Sequence, residues 1–423
     1  MSTKIILDCD PGIDDALAIT FAHGHPDVDL IGITTVAGNV SLDKTTRNAL
    51  AVTEFVGADT IPVTPGSSVP LVRRALHAEQ VHGETGLGGA VLPEPGRKPR
   101  DGHAIDYIID TIGAAPGEIT LVATGPMTNI ALAVRREPLL ATWVKDFVIM
   151  GGSSGRGNVT PAAEFNIWAD PEAAAVVFDA GWNVRMIGLD VTLRALATPP
   201  VRERMREFGK LGADLLLPAL AQYRDSAGDD PAVHDVCAVV SVAHPSVFGY
   251  TSAAVEVETA GRLTAGMTVT SFETDAPNAA VATSIAASDF WDIVLATYGD
   301  VATEMSEPRK LASGGDELSG AGPGGVRQQR RLGALGQRLV PFDGLFRDLD
   351  QVGVPPALTV APGGAQPGRP RAAPHGQAAR DRHDRHVGRR VIGAHQPLEA
   401  SGGQRRFQFP HCLSGVHRQA AGR

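Results

Sequence analysis

Through about residue 300 the chain alternates short, nearly continuous apolar runs with longer stretches of helical period, and this alternation restricts the fold more than any other feature. The apolar runs are Lys4–Leu7, Leu30–Val36, Ile61–Val63, Ile119–Ala123, Phe147–Met150 and Val184–Leu189. Between them the spacing predicts helices over Asp14–His23, Leu42–Val56, Ala104–Ile112, Thr128–Arg136 and Pro171–Ala180. Strands this apolar are buried on both faces. The expected fold is therefore α/β, an open, mostly parallel central sheet with helices on both sides. Pro11 near the start of the first helix, with Asp14 and Asp15 in its opening turns, fits helix N-terminal chemistry.

Composition divides the chain. Residues 1–305 carry 20 Lys and Arg against 38 Asp and Glu, a balance of −18, whereas residues 306–423 carry 18 against 9. So acidic a body argues against nucleic acid as a partner. No run reaches the ~18–20 apolar residues of a membrane span, and Met1–Lys4 leads into a strand without a cleavage-site pattern. A cytoplasmic protein is expected. The 306–423 tail is rich in Gly, Pro and Arg and shows no sustained period. It reads as a disordered extension, or as non-native sequence from a reading-frame error, in preference to a basic arm for nucleic acid or an acidic partner. Cys9, Cys237 and Cys412 are far apart, which excludes a disulfide framework, and the first two read as small apolar filler.

In an open parallel sheet, ligands bind beyond the carboxyl ends of the strands. Polar clusters fall there repeatedly. Asp8, Asp10, Asp14 and Asp15 follow the first strand, Gly38-Asn39 the second, Thr124-Gly125-Pro126 a third, and Gly151–Asn166 the next. Four aspartates within eight residues repel one another unless a cation sits between them, and all-oxygen ligands favour Ca²⁺ or Mg²⁺ over zinc. Decoration of a helix N-terminus would explain Asp14 and Asp15 but not Asp10 on the preceding turn. Further along, His234-Asp235 opens another apolar run and could bring both a metal ligand and a proton donor, whereas His23, His25 and His244 read as structural.

The segment Asp8-Cys9-Asp10-Pro11-Gly12-Ile13-Asp14-Asp15-Ala16 resembles the signature of the inosine–uridine-preferring nucleoside hydrolases. Val36–Val40, His82–Gly86, Ala123–Asn129, Met150–Gly152, Asn158 through Glu164-Phe165-Asn166, and His234-Asp235 are similar to further blocks of that family, in family order from residue 4 to about 300. The resemblance implies a nucleoside hydrolase domain over 1–305 with a Rossmann-like core, and it has no counterpart to the tail. It implies a Ca²⁺ held by Asp10, Asp15, Asp235 and the carbonyl of Thr124, with Asp10 also the general base. Asp14, Asn39, Asn158, Glu164 and Asn166 resemble the ribose-binding groups, with Met150 and Phe165 packing on sugar and base. His234 is the implied general acid and His82 a base-contacting group. Tyr223 could bond the base or relay a proton, and Asp8 is left as a support residue. The implied substrate is a ribonucleoside such as inosine or uridine, and the implied assembly a homodimer or homotetramer.

Two other readings compete. A phosphatase of the haloacid dehalogenase type also opens with D-x-D, which Asp8 and Asp10 match, but it leaves Asp14-Asp15 and His234-Asp235 unexplained. A ribonucleoside-binding protein without turnover would need neither a base at position 10 nor a donor at position 234.

Overall fold

The computed structural model describes residues 2–227 and 230–307; the tail expectation, with Cys412, lies outside them. Nine strands form one sheet: β1 (Thr3–Cys9), β2 (Val28–Thr35), β3 (Val63–Pro65), β4 (Ile119–Ala123), β5 (Asp146–Met150), β6 (Val184–Ile187), β7 (Phe248–Val257), β8 (Thr268–Ser271) and β9 (Ala279–Ile285). Their order is β3-β2-β1-β4-β5-β6-β9-β7-β8. Every pairing from β3 to β9 is parallel, and β7 runs antiparallel to both its neighbours.

The strands alternate their side chains between two cores, which is why they read as continuous apolar runs. Ile5, Leu7 and Cys9 of β1 pack with Leu17 and Phe21 of the Ile13–Gly24 helix and with Val236 and Val240 of the Asp235–Ala243 helix. Ile6 faces the other way, joining Leu121 and Ala123 of β4, Ile108 and Ile130. The four strands nearest the centre are therefore pinned from both sides. Leu121 is fully buried, so Leu121→Ala should lower unfolding free energy by about 2–5 kcal/mol in a urea titration. A loss under about 1 kcal/mol would mean the core is not packed as described.

The first six strands follow the order 3-2-1-4-5-6, whose direction of winding reverses between β1 and β4. A crevice opens beyond the carboxyl ends of strands at such a switch point. Cys9 and Ala123 are the last residues of those two strands, so the residues that follow each of them line this crevice. The three strands between residues 248 and 285 were not expected. β7 is half exposed and lies near the sheet edge, so its residues lack the unbroken apolar run that marks the inner strands. At the third strand, pairing begins at Val63 rather than Ile61, and β6 stops at Ile187 because Gly188 caps the short Leu189–Thr192 helix.

Candidate active site

Asp8, the penultimate residue of β1, is fully buried and points across the sheet rather than into the crevice. Its Oδ1 accepts from Thr34 Oγ1 at 2.5 Å and Asn129 Nδ2 at 2.8 Å. Burial pushes its carboxyl up to about 7 against those two bonds. Asp8 thus ties β1 to β2 and to the Thr128–Arg136 helix, the support part that its place in the motif implied.

Asp10 follows directly, on the turn after β1. Its Oδ2 accepts the backbone N–H of Asn39 at 2.6 Å, while Oδ1 is buried and accepts nothing from the described residues. Two glycines hold it in place. A Cβ on Gly38 would lie 2.0 Å from Asp10 Oδ2, and one on Gly125 would lie 2.7 Å from Oδ1. Only bare backbone lets the loops after β2 and β4 close this tightly. Gly38→Ala must therefore shift the carboxylate. Since a misplacement of about 1 Å can cost 10²-fold in rate, turnover should fall by at least that factor while circular dichroism stays unchanged. Normal turnover would show that the position of Asp10 is not critical.

The chain then enters the Ile13–Gly24 helix, with Gly12 as its N-cap. Asp15, at the third helical position, accepts the Gly12 N–H at 3.0 Å and so closes the first turn. Its other oxygen accepts Thr124 Oγ1 at 2.9 Å, and its side chain is within hydrogen-bond reach of Asp235. Asp14, one residue earlier and about 100° around the helix, faces away from that pair. Its Oδ2 accepts Tyr223 Oη at 3.0 Å and the His234 N–H at 3.3 Å; Oδ1 is buried and accepts nothing from the described residues.

These carboxylates strain one another. Burial, and then the charge of Asp15, pushes Asp10 well above the usual carboxylate range. Asp235 is pushed well up by burial and then by Asp15, Asp14 and Asp10. Asp14 rises to about 8, mainly through burial. A cation of all-oxygen preference is what such a cage would take. Asp10 Oδ1, the Asp15–Asp235 contact and the Thr124 carbonyl suit one: all are oxygens, and Asp10 Oδ1 accepts nothing from the described residues.

Asn166 buttresses that carbonyl, donating from Nδ2 to Thr124 O at 2.8 Å and to Met150 O at 3.0 Å. Glu164 caps the Phe165–Ala169 helix, its oxygens accepting the N–H groups of Asn166, Ile167 and Gly152. Its carboxyl rises to about 6 through burial. Asn39 donates from Nδ2 to Asp10 O and Asp15 Oδ2. Met150 is buried beside Asn166. Among the described residues, neither Asn158 nor Phe165 bonds to Asp10, Asp14, Asp15 or Asp235; Asn158 is exposed and its Oδ1 accepts the Phe165 N–H at 3.0 Å.

Two histidines close the opposite wall. His82 Nδ1 accepts the Ile13 N–H at 3.2 Å, and its ring meets that of Tyr223 edge-on, with centroids 5.4 Å apart. Burial, then the neighbouring His234, lowers it to about 3, so the ring is neutral with its proton on Nε2. His234 lies at the N-cap of the Asp235–Ala243 helix, its Nδ1 2.9 Å from Thr192 Oγ1. Burial lowers it to about 4. Cys9 and Cys237 are buried, free thiols whose pKa burial drives well up, which makes them inert filler.

Most of the residues singled out in the sequence thus converge on one crevice. Thr192, Thr34 and Asn129 were not assigned parts. Thr192 carries no sequence signal, because its short helix touches the site only through the fold; Asn129 lay inside a recognised block but had no visible partner.

A family model described as inosine-uridine preferring nucleoside hydrolase matches residues 5–292. An inosine-uridine preferring nucleoside hydrolase of Leishmania major is 47% identical over 307 residues, spanning 70% of this chain and 97% of that protein. The non-specific ribonucleoside hydrolase RihC of Escherichia coli (strain SMS-3-5 / SECEC) is 47% identical over 270 residues, 64% of this chain and 88% of the relative. Among solved structures, the plant nucleoside hydrolase PpNRh1 superposes with a TM-score of 0.67 at 35% identity, over 71% of this chain and 99% of that one. A purine-preferring ribonucleoside hydrolase from Gardnerella vaginalis gives a TM-score of 0.67 at 33% identity, over 71% and 100%.

Proposed function

The chain belongs to the inosine-uridine preferring nucleoside hydrolase family and is a ribonucleoside hydrolase, and on that premise we propose that it cleaves the N-glycosidic bond with a calcium-class site, Asp10 as general base and His234 as general acid. The observation that carries this reading is the buried, unbonded Oδ1 of Asp10 within a cage of oxygens at the switch point. Asp10, Asp15, Asp235 and the Thr124 carbonyl would hold the Ca²⁺. When bound, that ion supplies a Lewis acid that orients a water and makes it easier to deprotonate.

Asp10 accepts the water's proton on its carboxylate, which the Asn39 N–H holds in place through Oδ2. Asp14 and Asn166, with Asn39, Asn158 and Glu164, bind the ribose hydroxyls and set acceptors where positive charge grows on the sugar. Met150 and Phe165 pack on sugar and base. Asp14 is already aimed by Tyr223, whose hydroxyl donates to it. On the leaving side, His82 offers Nε2–H to the base, and His234 delivers the proton that makes the base a neutral product. With its pKa lowered to about 4, His234 is neutral before the reaction; it draws a proton from solvent as negative charge develops on the departing base beside it and passes that proton to the base. Both histidines stand on or next to the segments 71–89 and 221–234, to which we assign the base preference. The protein is further proposed to be cytoplasmic and a homodimer or homotetramer; no helix among the described residues is long and apolar enough to cross a membrane.

The reading is tested by a ribose-release assay across inosine, uridine, cytidine, adenosine and guanosine, with Ca²⁺ and with a chelator. Release from at least one nucleoside that chelation abolishes and Ca²⁺ restores is expected. Activity on p-nitrophenyl phosphate with none on any nucleoside would overturn it in favour of a phosphatase. Because the caged carboxylates hold protons well above their usual range, Ca²⁺ must displace protons to bind. The rise in melting temperature on adding Ca²⁺ should therefore be larger at pH 8 than at pH 5.

A further inference from the structure

The two helices whose first turns carry Asp14, Asp15 and Asp235 end side by side as well. The Ile13–Gly24 helix is capped by His25 and the Asp235–Ala243 helix by His244. Ten residues of helix between Asp15 and His25 put His25 about 15 Å from the carboxylate cage. There, His25 Nε2 and His244 Nε2 lie 2.9 Å apart, with the rings edge-to-face at 84°. A nitrogen from each ring and a carboxylate oxygen of Asp27 all lie within 4.8 Å of one another.

Several observations point to a cation at this spot. Two imidazoles and one carboxylate make a donor set suited to zinc, unlike the all-oxygen cage at the other end. Each histidine sits at a helix C-terminus, with its N–H on Phe21 O or Val240 O, where the partial negative charge of the helix end favours a cation. Asp300 of the Ala287–Ser306 helix adds its charge to His25. His25 is buried, while His244 is half-buried and Asp27 exposed, which leaves an entry path and room for a water as fourth ligand.

We propose that His25, Asp27 and His244 form a second metal site, for a zinc-class divalent transition ion, that fastens the far ends of the two helices presenting the catalytic carboxylates. Two Zn–N bonds of about 2.0–2.1 Å in a tetrahedral arrangement need the nitrogens about 3.3 Å apart, a small opening of the present 2.9 Å. The His25 ring accepts the Asp27 N–H on Nδ1 at 3.2 Å, so its own proton sits on Nε2, against His244. Metal binding shifts that proton to Nδ1 and gives up the long bond from Asp27; no proton is released overall.

The test uses the full chain in saturating Ca²⁺, titrated with Zn²⁺. The tail holds six histidines and Cys412, so zinc uptake is read as a difference between proteins. The wild type should bind one more Zn²⁺ than His244→Ala, and zinc at 100 times its Kd should raise the wild-type Tm by about 5 °C. Asp27→Asn, at an exposed position, keeps the histidine pair and should bind this zinc at least tenfold more weakly. Co²⁺ in its place should give visible absorption in the wild type that His244→Ala lacks. Ribose release in Ca²⁺ should be unchanged in both variants. Equal zinc uptake and equal Tm shifts in the wild type and both variants would overturn the proposal, whether the ion enters the tail, the carboxylate cage or neither.

Discussion

Asp10→Asn is expected to lower turnover of inosine by about 10³-fold or more while leaving the fold intact. The substitution keeps the shape of the side chain, so Gly38 and Gly125 still close around it. It removes one charge from the cage and the atom that accepts the water's proton, and general-base catalysis alone contributes roughly 10²–10⁴-fold. A second, opposite effect follows from the same geometry. Asp10 Oδ1 is a buried acceptor with no partner among the described residues, crowded by Asp15 and Asp8. An uncompensated carboxylate of this kind destabilises the metal-free fold. In chelator, Asp10→Asn should therefore melt at a higher temperature than the wild type, and Ca²⁺ should reduce or reverse the difference. Near-normal turnover would remove Asp10 as base, and a lower Tm in chelator would mean that its carboxylate is compensated.

His234→Ala separates leaving-group protonation from the rest of the machinery. Turnover of inosine, whose base leaves as a poor anion, should fall by about 10²–10⁴-fold, in the range of a general acid. p-Nitrophenyl riboside, with an acidic leaving group that needs no proton, should lose less than about tenfold. The variant also frees Thr192 Oγ1 of its ring partner but keeps the backbone N–H that Asp14 accepts, so ribose orientation by Asp14 should persist. Equal losses on both substrates would assign His234 to positioning rather than proton donation.

The sequence made the centre of this molecule legible for a physical reason. β1, β4 and β5 are largely buried on both faces, so their residues are mostly apolar, and the predicted Ile119–Ala123 strand and Thr128–Arg136 helix coincide with the observed ones. The aspartates stood out because four carboxylates in so short a span call for a cation. What the sequence hid depends on contacts between distant segments. Glu164 also caps a helix and holds Gly152 through its oxygens, and nothing in its neighbours announced that cap. Tyr223 and Asp14, 209 residues apart, are joined by the fold alone. The same is true of His25 and His244, which read as structural one at a time and become a potential donor pair only when their helices end together. β7 and the edge strand β8 escaped notice because half-exposed residues dilute the apolar signal.

The account stands most directly on whether the aspartate cage at the β1–β4 switch point holds the ion that turnover needs. Chelated enzyme titrated with Ca²⁺, with bound ion and ribose release measured in the same samples, should show activity rising in proportion to one site. Asp10→Asn and Asp235→Asn should lose that site and the activity together. Full ribose release from protein shown to be free of divalent ions would contradict the account.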